Sequence, residues 1–437
     1  MQHQLGDEAA DFFAALDSPS PVSIRINHFK GKAQFALNDP VKWCDTGYYL
    51  DERPFFHLDP HWHGGAYYVQ EASSMILDAV VKQLPRPSGD GIWVDLCAAP
   101  GGKTGILAKH LGPGDVLIAN EVVSQRKSVL YENLVKGGYL NTFITGEKTS
   151  AFPGDFADVI LIDAPCAGEG MMRKEPEAAR QWSDRLVQSC ALLQKDIVSD
   201  AVKTLKPGGW LIYSTCSYSP DENIDNAVSF ISRHPLENVN LNFNPGWNIS
   251  EITKANVTGY QLYPHKVRGE GLFITVFQKK CEKLSKYNSS KKEKRIFHPL
   301  TEPLDQFVND PSKYLSEKRG DEYFIITAEA SNFASSIRVQ LPRAELTGKF
   351  IEQKGKDFIP DHFLATSGIQ GKIWGSVKLD EVQALDYLER KIPMVEKDNP
   401  TGWYVINFDG TLLGWMKNTA QGWKNYFPMH WRLRNRK

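Results

Sequence analysis

The chain has 437 residues and a formal net charge of −1 at pH 7, from 51 Lys and Arg against 52 Asp and Glu. This length predicts more than one domain, and a composition that is 41% hydrophobic and 24% charged excludes a mainly disordered, collagen-like or coiled-coil protein. Because the overall charge is balanced, a nucleic-acid partner has to be indicated by local clusters of charge.

The six cysteines are too sparse for a disulfide scaffold and show no C-x-x-C spacing, so we expect reduced thiols and no bound metal. The N-terminus has no basic segment followed by an apolar one, and no uninterrupted apolar run reaches about 18 residues. These features predict a soluble, cytoplasmic protein without a membrane partner. We also expect it to be a monomer.

Turn-forming residues at Pro85–Gly91 separate an N-terminal accessory region, residues 1–88, from a segment in which apolar strands and helices alternate. The predicted strands and helices are Gly91–Leu96, Lys103–Leu111, Asp115–Asn120, Ser124–Lys136, Val159–Asp163, Asp184–Leu205 and Trp210–Ser214. This alternation predicts a doubly wound, Rossmann-like parallel α/β sheet over residues 89–282, closed by Leu272–Phe277 as an edge strand. Ligands bind such sheets beyond the carboxyl ends of the strands.

A glycine-containing loop, Cys97–Thr104 with the sequence CAAPGGKT, follows the first predicted strand. Its small residues let the backbone approach a ligand at the start of a helix. A phosphate-binding P-loop is excluded because Cys97 occupies its first glycine position, and the G-x-G-x-x-G dinucleotide motif is also absent. The loop therefore favours an adenosyl cofactor such as S-adenosylmethionine. Glu121, after the second strand, suits the ribose hydroxyls, although an acid at a helix start would look the same.

Cys166 and Cys216 each follow an apolar strand, so both thiols should reach the cofactor edge of the sheet together with Asp163. A lone cysteine there is more often a buried filler, but two beside a cofactor loop favour chemistry. When a thiolate adds to C6 of a pyrimidine, C5 becomes nucleophilic enough to attack a sulfonium methyl group. A nearby acid such as Asp163 can favour this addition. The chemistry alone leaves open which thiol attacks.

Two C-terminal stretches are locally basic. Cys281–Arg295 has a local charge of +4 and predicts a linker, residues 283–297, with an RNA-phosphate contact as the alternative. Residues 411–437 have a charge of +6 and contain the aromatic residues Trp415, Trp423, Tyr426, Phe427 and Trp431. Cations with aromatic faces suit single-stranded RNA, and a small β-rich core with a basic tail is the alternative. Gly402–Trp415 predicts a hairpin that turns at Asp409–Gly410.

Several segments resemble the motifs of the NOL/NOP/Sun-type RNA 5-methylcytosine methyltransferases. They are LCAAPGGKT, DAPCAGEGMMRK and YSTCSYSPDEN, with Pro21–Asn27, Val69–Met75 and Tyr263–Gly271. GEGMMRK is similar to the RsmF-like ribosomal RNA branch, and the Gly402–Trp415 hairpin resembles its PUA-like domain. The resemblance implies a Rossmann-like class I methyltransferase sheet with a small N-terminal domain and a PUA-like RNA-binding region at residues 298–437.

The resemblance also implies roles for single residues. Cys216 is expected to attack C6, Cys166 to assist release of the methylated RNA, and Asp163 to contact the target base. The residues assigned to S-adenosylmethionine are Cys97, Ala98, Ala99, Pro100, Gly101, Gly102, Lys103, Glu121, Arg126 and Asp163. The residues assigned to RNA are Arg25, Arg173, Lys174, His265, Lys417, Lys424, Arg432 and Arg434. The aspartate usual near the adenine is absent, and Glu147 in Thr145–Ser150 is the candidate substitute.

The substrate that the resemblance implies is ribosomal RNA, free or within the small subunit, with tRNA as the alternative. A competing hypothesis is a catalytically silent RNA-binding module for ribosome assembly. Retention of both thiols, of Asp163 and of the complete glycine loop argues against that hypothesis, because a silent module needs none of them. Methyl transfer to a protein or to an exocyclic amine fits poorly, since neither target requires thiolate addition.

Overall fold

The structure is a computed structural model that describes residues 2–30, 33–86, 89–280, 296–395 and 399–436. The described residues form four β-sheets: one N-terminal, one large central and two C-terminal. In this part of the chain, no helix is both long and apolar enough to cross a membrane.

The N-terminal part is a three-stranded antiparallel sheet with short helices around it. Its elements are α1 (Gln2–Leu5), α2 (Ala9–Asp17), β1 (Val22–Ile26), β2 (Gly47–Leu50), α3 (Pro60–His63), β3 (Tyr67–Val69) and α4 (Ile76–Gln83). The central strand β1 buries Ile24 and Ile26 against Phe56 and Tyr67. Alternate residues of a strand face the same side, so this pattern gives the small sheet its own core.

The central part is a ten-stranded sheet with helices on both faces. Its elements in the N-terminal half are β4 (Ile92–Asp95), α5 (Gly102–Lys109), β5 (Val116–Asn120), α6 (Ser124–Gly137), β6 (Thr142–Thr145) and β7 (Ala157–Asp163). They continue with α7 (Pro176–Gln181), α8 (Asp184–Thr204), β8 (Leu205–Thr215), α9 (Ile224–Arg233), β9 (Leu236–Val239), β10 (Ser250–Lys254), β11 (Val257–Leu262) and β12 (Leu272–Lys279).

The strands β4 to β8 are parallel and lie in the order β6-β5-β4-β7-β8. Helices α8 and α9 pack on one face, and α4, α5 and α6 pack on the other. Near-continuous apolar runs such as Val159–Leu161 form these strands because a parallel sheet is buried on both faces. The predicted doubly wound, Rossmann-like sheet is confirmed.

The prediction that Leu272–Phe277 closes the sheet is wrong. Strand β12 lies inside the sheet, between β8 on one side and both β11 and β9 on the other. Its first half pairs with β11 and its second half with β9. Strand β12 is therefore paired on both edges, with β8 on one side and with the shorter β11 and β9 on the other. A strand inside a sheet is buried, which is consistent with the uninterrupted apolar sequence of Leu272–Phe277.

The C-terminal part contains two sheets. The chain segment that holds the first contains β13 (His298–Pro299), β14 (Tyr314–Arg319), β15 (Glu322–Thr327), α10 (Ser331–Gln340), β16 (Glu345–Leu346), β17 (Lys349–Lys354), β18 (Asp357–Pro360) and α11 (His362–Thr366). The sheet itself consists of these strands without β16. Those of the second are β19 (Gly375–Leu379), α12 (Glu381–Leu388), β20 (Gly402–Phe408), β21 (Thr411–Thr419) and β22 (Gly422–Asn425).

Strand β16 leaves the first C-terminal sheet and pairs with β6, which extends the central sheet. The predicted hairpin is confirmed as β20 and β21, with left-handed φ angles of 41° at Asp409 and 86° at Gly410. The predicted linker, residues 283–297, lies outside the described residues up to residue 295.

The three parts meet around Lys136 on α6. The buried Lys136 amine is 2.6 Å from Glu132 and lies 4.8 Å from the ring centre of Trp62 and 5.9 Å from that of Trp431. Trp62 belongs to the N-terminal part and Trp431 to the C-terminal end, so one cation contacts an aromatic ring from each. Gly65 closes the junction because its backbone lies directly against the Lys136 carbonyl oxygen.

We predict that Gly65→Ala destabilises the protein more than Gly320→Ala. Both glycines have left-handed φ angles, 68° and 58°, but a methyl group at Gly65 would overlap the Lys136 carbonyl, whereas nothing lies within 4 Å at Gly320. Gly320→Ala should lower the free energy of unfolding by about 1 kcal/mol from backbone strain alone. Gly65→Ala should lower it by at least about 2 kcal/mol, because the junction has to open. Equal losses in denaturant titrations would contradict the close approach at Lys136.

Candidate active site

The two predicted thiols lie together at the carboxyl edge of the central sheet. Strands β7 and β8 are parallel neighbours, with Asp163 opposite Ser214, and each cysteine follows within three residues of that pair. The Cys166 and Cys216 sulfur atoms are 3.0 Å apart. The sequence-based expectation that both thiols share one crevice therefore holds in the geometry.

The contact between the two sulfur atoms changes the pKa of Cys166. The hydrogen bond with Cys216 raises the pKa of Cys166 well above its ordinary value, and burial and the charge of Cys216 add to this. Cys166 therefore holds its proton more firmly than an ordinary thiol does.

A cation and an acid complete the group. The Lys103 Nζ atom is 2.8 Å from Asp163 Oδ2, and the Ser214 hydroxyl donates to Asp163 Oδ1 at 3.0 Å. Burial by itself lowers the pKa of Lys103, but the attraction and hydrogen bond of Asp163, with the charges of Cys216 and Glu71, outweigh it and raise the pKa. Lys103 thus remains an ammonium beside Asp163, and its charge interacts with that of Cys216.

The glycine loop begins α5 at the same edge of the sheet. Gly101 has a φ of 111°, which favours glycine, and a β-carbon at Gly102 would lie 3.2 Å from the Tyr68 ring. From α6, Arg126 donates to the Ala99 carbonyl at 2.9 Å and Asn133 donates to the Pro100 carbonyl at 2.8 Å. Side chains of α6 therefore hold the loop open from one side.

Arg25 holds the same loop from the N-terminal sheet. Its guanidinium is 2% exposed, and it donates to the Gln70 side chain at 2.8 Å and to the Gly102 carbonyl at 3.2 Å. The assignment of Arg25 to RNA has to be corrected, because this buried position withholds the guanidinium from a polyanion. The side chain instead supports the cofactor loop.

The strand ends beside the loop suit an adenosyl group. Glu121 is buried, accepts from the Val123 backbone at 2.9 Å and lies 3.4 Å from Arg126. Three buried polar atoms at the ends of β4, β5 and β6 have no hydrogen-bond partner in the described structure: Asp95 Oδ1, Asn120 Oδ1 and Thr145 Oγ1. Burial raises the pKa of Asp95 to about 7. These unpaired groups fit the hydroxyl and amino groups of S-adenosylmethionine.

Two further residues considered for cofactor binding, Cys97 and Glu147, are not among these unpaired groups. Burial raises the pKa of the Cys97 thiol, which favours a packing role within the loop. Glu147 lies 3.8 Å from Arg343 of the C-terminal part, so an exposed arginine reaches the candidate adenine end of the site. The assignment of Glu147 to adenine stays a prediction.

Arg173 and His265, both assigned to RNA, attach the N-terminal segment to the central part. Arg173 donates to Ser18, Pro19 and Gly269, and four of its five N–H donors are thereby occupied. The His265 side chain is 6% exposed and packs against Phe12 and Tyr263. These contacts correct both assignments, whereas Lys174 is exposed and stays available.

Among the C-terminal basic residues, those assigned to RNA differ from Arg436, which is paired with carboxylates. Lys417 and Lys424 are cross-strand partners, and the Lys417 amine is 5.2 Å from the Trp403 ring centre. Lys424, Arg432 and Arg434 are exposed. Two aromatic residues, Trp415 and Phe427, are at most 1% exposed and are core residues, which corrects their expected place among RNA-stacking faces. Arg436 is paired with Asp386 and Glu389.

Sequence reasoning missed two buried carboxylates beside the thiols. Glu169 and Glu222 both lie within hydrogen-bond distance of Ser217, which follows Cys216. Both fall inside quoted motifs, GEGMMRK and SPDEN. Their position within a few residues of each cysteine is the signal that could have drawn attention to them.

Three family models match the chain. The model described as 16S rRNA methyltransferase RsmB/F matches residues 82–278, the N-terminal domain of RsmF matches residues 1–72, and the RsmF PUA domain matches residues 375–433. These matches follow the order of the three structural parts. The chain belongs to the RsmF-like branch of the Sun-type RNA methyltransferases.

Individual RsmF-like proteins are similar over nearly the whole chain. Ribosomal RNA small subunit methyltransferase F of Shewanella loihica is 29% identical over 96% of this chain and 90% of its own length. The protein of the same name in Vibrio cholerae is 28% identical over 96% and 93%. The crystal structure of a methyltransferase homologue from Pyrococcus horikoshii is 26% identical over 63% of this chain and 91% of that one, with a TM-score of 0.50.

Membership of the RsmF-like branch confirms several expectations from the sequence. The activity is that of an S-adenosylmethionine-dependent RNA cytosine-C5 methyltransferase, and the cofactor is S-adenosylmethionine. The N-terminal domain, the Rossmann-like sheet and the PUA-like domain are confirmed as parts of the fold. The PUA match begins at residue 375 and corresponds to the second C-terminal sheet.

We predict that Arg25→Met weakens cofactor binding and leaves RNA binding intact. Removing the bonds to Gln70 and Gly102 should raise the Kd for S-adenosylmethionine about tenfold, the effect of losing a charge-assisted hydrogen bond. Calorimetry with the cofactor and a filter-binding assay with RNA measure the two affinities separately. The exposed Arg434→Met is the matched control, and it should change only RNA affinity. Weaker RNA binding with unchanged cofactor affinity in Arg25→Met would restore the original assignment.

Proposed function

We propose that this chain methylates C5 of a cytosine in small-subunit ribosomal RNA, with Cys216 as the nucleophile and Cys166 acting at release. The observation that carries the mechanism is the 3.0 Å contact between the two sulfur atoms beside the Lys103–Asp163 pair. The substrate rests on the names of the relatives in Shewanella loihica and Vibrio cholerae, which are small-subunit ribosomal RNA methyltransferases.

The residues hold the base before the chemistry begins. Asp163 contacts N3 and the amino group of cytosine, and Lys103 keeps that carboxyl in place at 2.8 Å. Asp163 ends β7 and Lys103 lies in the first turn of α5 at the same edge of the sheet. The Lys103 ammonium therefore offers a fixed positive charge near the ring, where negative charge develops during addition. Bound S-adenosylmethionine supplies the electrophilic methyl group.

Cys216 is the better nucleophile of the pair on physical grounds. Cys166 donates its proton toward Cys216, and Lys103 places a positive charge near the same sulfur. Both influences stabilise a thiolate on Cys216. Its sulfur forms a bond to C6, and the electron pair displaced from the C5–C6 double bond onto C5 forms the new bond to the methyl carbon. The bond from that carbon to the sulfonium sulfur breaks, and its electron pair stays on the sulfur of the demethylated cofactor.

Release reverses the addition. C5 loses its proton to a water molecule acting as the base, the electron pair of that C–H bond forms the C5–C6 double bond, and the bond from C6 to sulfur breaks. Cys216 leaves as a thiolate, which the Cys166 thiol stabilises by renewing the hydrogen bond across 3.0 Å. Without Cys166 the leaving group loses this donor, so the covalent intermediate is expected to persist.

The RNA is proposed to reach this site from the C-terminal face. Lys417, Lys424, Arg432 and Arg434 have no carboxylate within 4.0 Å among the described residues, so they can neutralise phosphates. Trp403 and Tyr426, with ring centres 4.4 Å apart, lie beside Lys417. We propose that the protein acts as a monomer in the cytoplasm.

We predict opposite outcomes for the two cysteine variants. Cys216→Ala abolishes methylation, because it removes the proposed nucleophile, whereas Cys166→Ala leaves RNA attached to the protein. Denaturing gels of Cys166→Ala expressed in cells should show a slow, ribonuclease-sensitive band, and sequencing the attached RNA identifies the substrate. The double variant Cys166→Ala/Cys216→Ala is the control and should show no band.

Two results would contradict this mechanism. Methylation that survives in Cys216→Ala would overturn the assignment of the nucleophile. Absence of an adduct in Cys166→Ala, while the wild-type protein methylates RNA, would overturn the release role. Recovery of tRNA in the adduct would replace ribosomal RNA as the substrate.

A further inference from the structure

One hydroxyl group lies between the two buried carboxylates that flank the thiol loops. The Ser217 Oγ atom is 3.0 Å from Glu169 Oε2 and 3.2 Å from Glu222 Oε1. Both glutamates are nearly inaccessible to solvent, with exposures of 8% and 0%. A serine hydroxyl carries a single proton and can donate to only one of them.

Glu222 joins the loop of Cys166 to that of Cys216. Its carboxyl group accepts from the Ala167 backbone at 3.2 Å, directly after Cys166, and contacts Ser217, directly after Cys216. Gln194 strengthens this link, because its amide donates to Glu222 at 2.8 Å and to the Pro165 carbonyl at 2.9 Å. Glu222 is therefore the group in the described structure that contacts residues next to both thiols.

Glu169 holds the Cys216 loop from the other side. It accepts from the Tyr218 backbone at 2.6 Å and from the Trp182 indole at 2.8 Å. The next residue, Gly170, donates its backbone N–H to the Cys216 carbonyl at 2.7 Å. The Glu169 Oε2 atom that faces Ser217 is thus already occupied by the Tyr218 N–H at 2.6 Å, whereas the Glu222 Oε1 atom has only the longer Ala167 contact at 3.2 Å.

The number of protons available for the contacts around Ser217 bears on the protonation state of Glu222. The Ser219 backbone already donates to Ser217 Oγ at 3.1 Å. If both carboxyl groups are ionised, one of the two contacts with Ser217 lacks a proton. Two buried oxygen atoms then face each other with no hydrogen atom between them. If Glu222 Oε1 carries a proton, Glu222 donates to Ser217, Ser217 donates to Glu169, and each of these contacts is satisfied.

The surroundings favour that proton. Within the described ranges, no Lys, Arg or His nitrogen lies within 4.0 Å of Glu169 or Glu222. The titratable groups that interact with Glu222 include Glu169, Cys166, Cys190 and Tyr213, none of which is a cation. Burial, with the charge of Glu169 in addition, raises the pKa of Glu222.

We propose that Glu222 is a positioning residue that carries a proton on Oε1 and, through Ser217 and Glu169, fixes the Cys166 and Cys216 loops at the spacing that methyl transfer requires. The catalytic consequence rests on the function proposed above. The protonation state itself depends only on the folded protein.

Isosteric amides distinguish the two glutamates. In Glu222→Gln the amide N–H replaces the carboxyl O–H toward Ser217, and the amide oxygen still accepts from Gln194 and Ala167. We expect Glu222→Gln to retain kcat within about threefold and Glu222→Ala to lose at least about tenfold, since truncation leaves buried donors unpaired. Glu169→Gln should also lose about tenfold or more, because an N–H then faces the donors of Tyr218 or Trp182.

Infrared difference spectra test the proton without RNA. At pH 7 the wild-type protein should show the carbonyl stretch of a protonated carboxylic acid that disappears in Glu222→Gln and persists in Glu169→Gln. Glu237→Gln, an exposed substitution on β9, is the matched control and should change neither the band nor kcat. Circular dichroism and thermal melting confirm that each variant is folded.

The proposal is overturned if folded Glu222→Gln loses as much activity as Glu222→Ala, or if the carboxylic-acid band is unchanged in Glu222→Gln. A wild-type protein that does not methylate RNA would instead reject the proposed function. In that case the infrared band still decides whether Glu222 is protonated.

Discussion

The site depends on the parallel pairing of β7 with β8. Asp163 lies opposite Ser214, and the two chains then turn over the same edge of the sheet, so that Cys166 and Cys216 meet at 3.0 Å. Parallel strands deliver their carboxyl ends to one side, and the first strand of the sheet adds the cofactor loop beside them. An acid, an ammonium group and two thiols are thereby gathered from three segments that are distant in sequence, since Asp163 and Cys166 share one of them.

The loops at that edge have little regular structure, and side chains from other parts of the protein hold them. Arg25 reaches the cofactor loop from the N-terminal sheet, and Arg126 and Asn133 reach it from α6. Around the thiols, Glu169, Glu222 and Gln194 take the corresponding role. Buried polar groups of this kind are costly unless each is paired, which makes such networks specific for one arrangement of the loops.

The helix α6 connects this chemistry to the RNA-binding part of the chain. One end of it supports the cofactor loop through Arg126, and the other carries Lys136, which contacts Trp62 and Trp431. The strand β16 adds a second connection, because it extends the central sheet from the C-terminal side. These contacts fix the position of the PUA-like sheet relative to the two thiols. A protein that delivers one nucleotide of an RNA to a buried site needs such a fixed arrangement.

The sequence by itself determined the parallel sheet, the cofactor loop and both cysteines, because uninterrupted apolar runs and strand-end motifs are local signals. Predictions from the sequence were wrong for residues whose burial or pairing depends on distant parts of the chain. Arg25 looked like a surface cation but is buried, Arg173 is bonded to the N-terminal segment, and Trp415 looked like a stacking platform but lies in a core. The internal position of β12 depended on pairing with β9 and β11, which lie elsewhere in the chain. The link from Glu222 to both thiol loops likewise arose only from folding, because burial and hydrogen-bond partners are set by residues far apart in sequence.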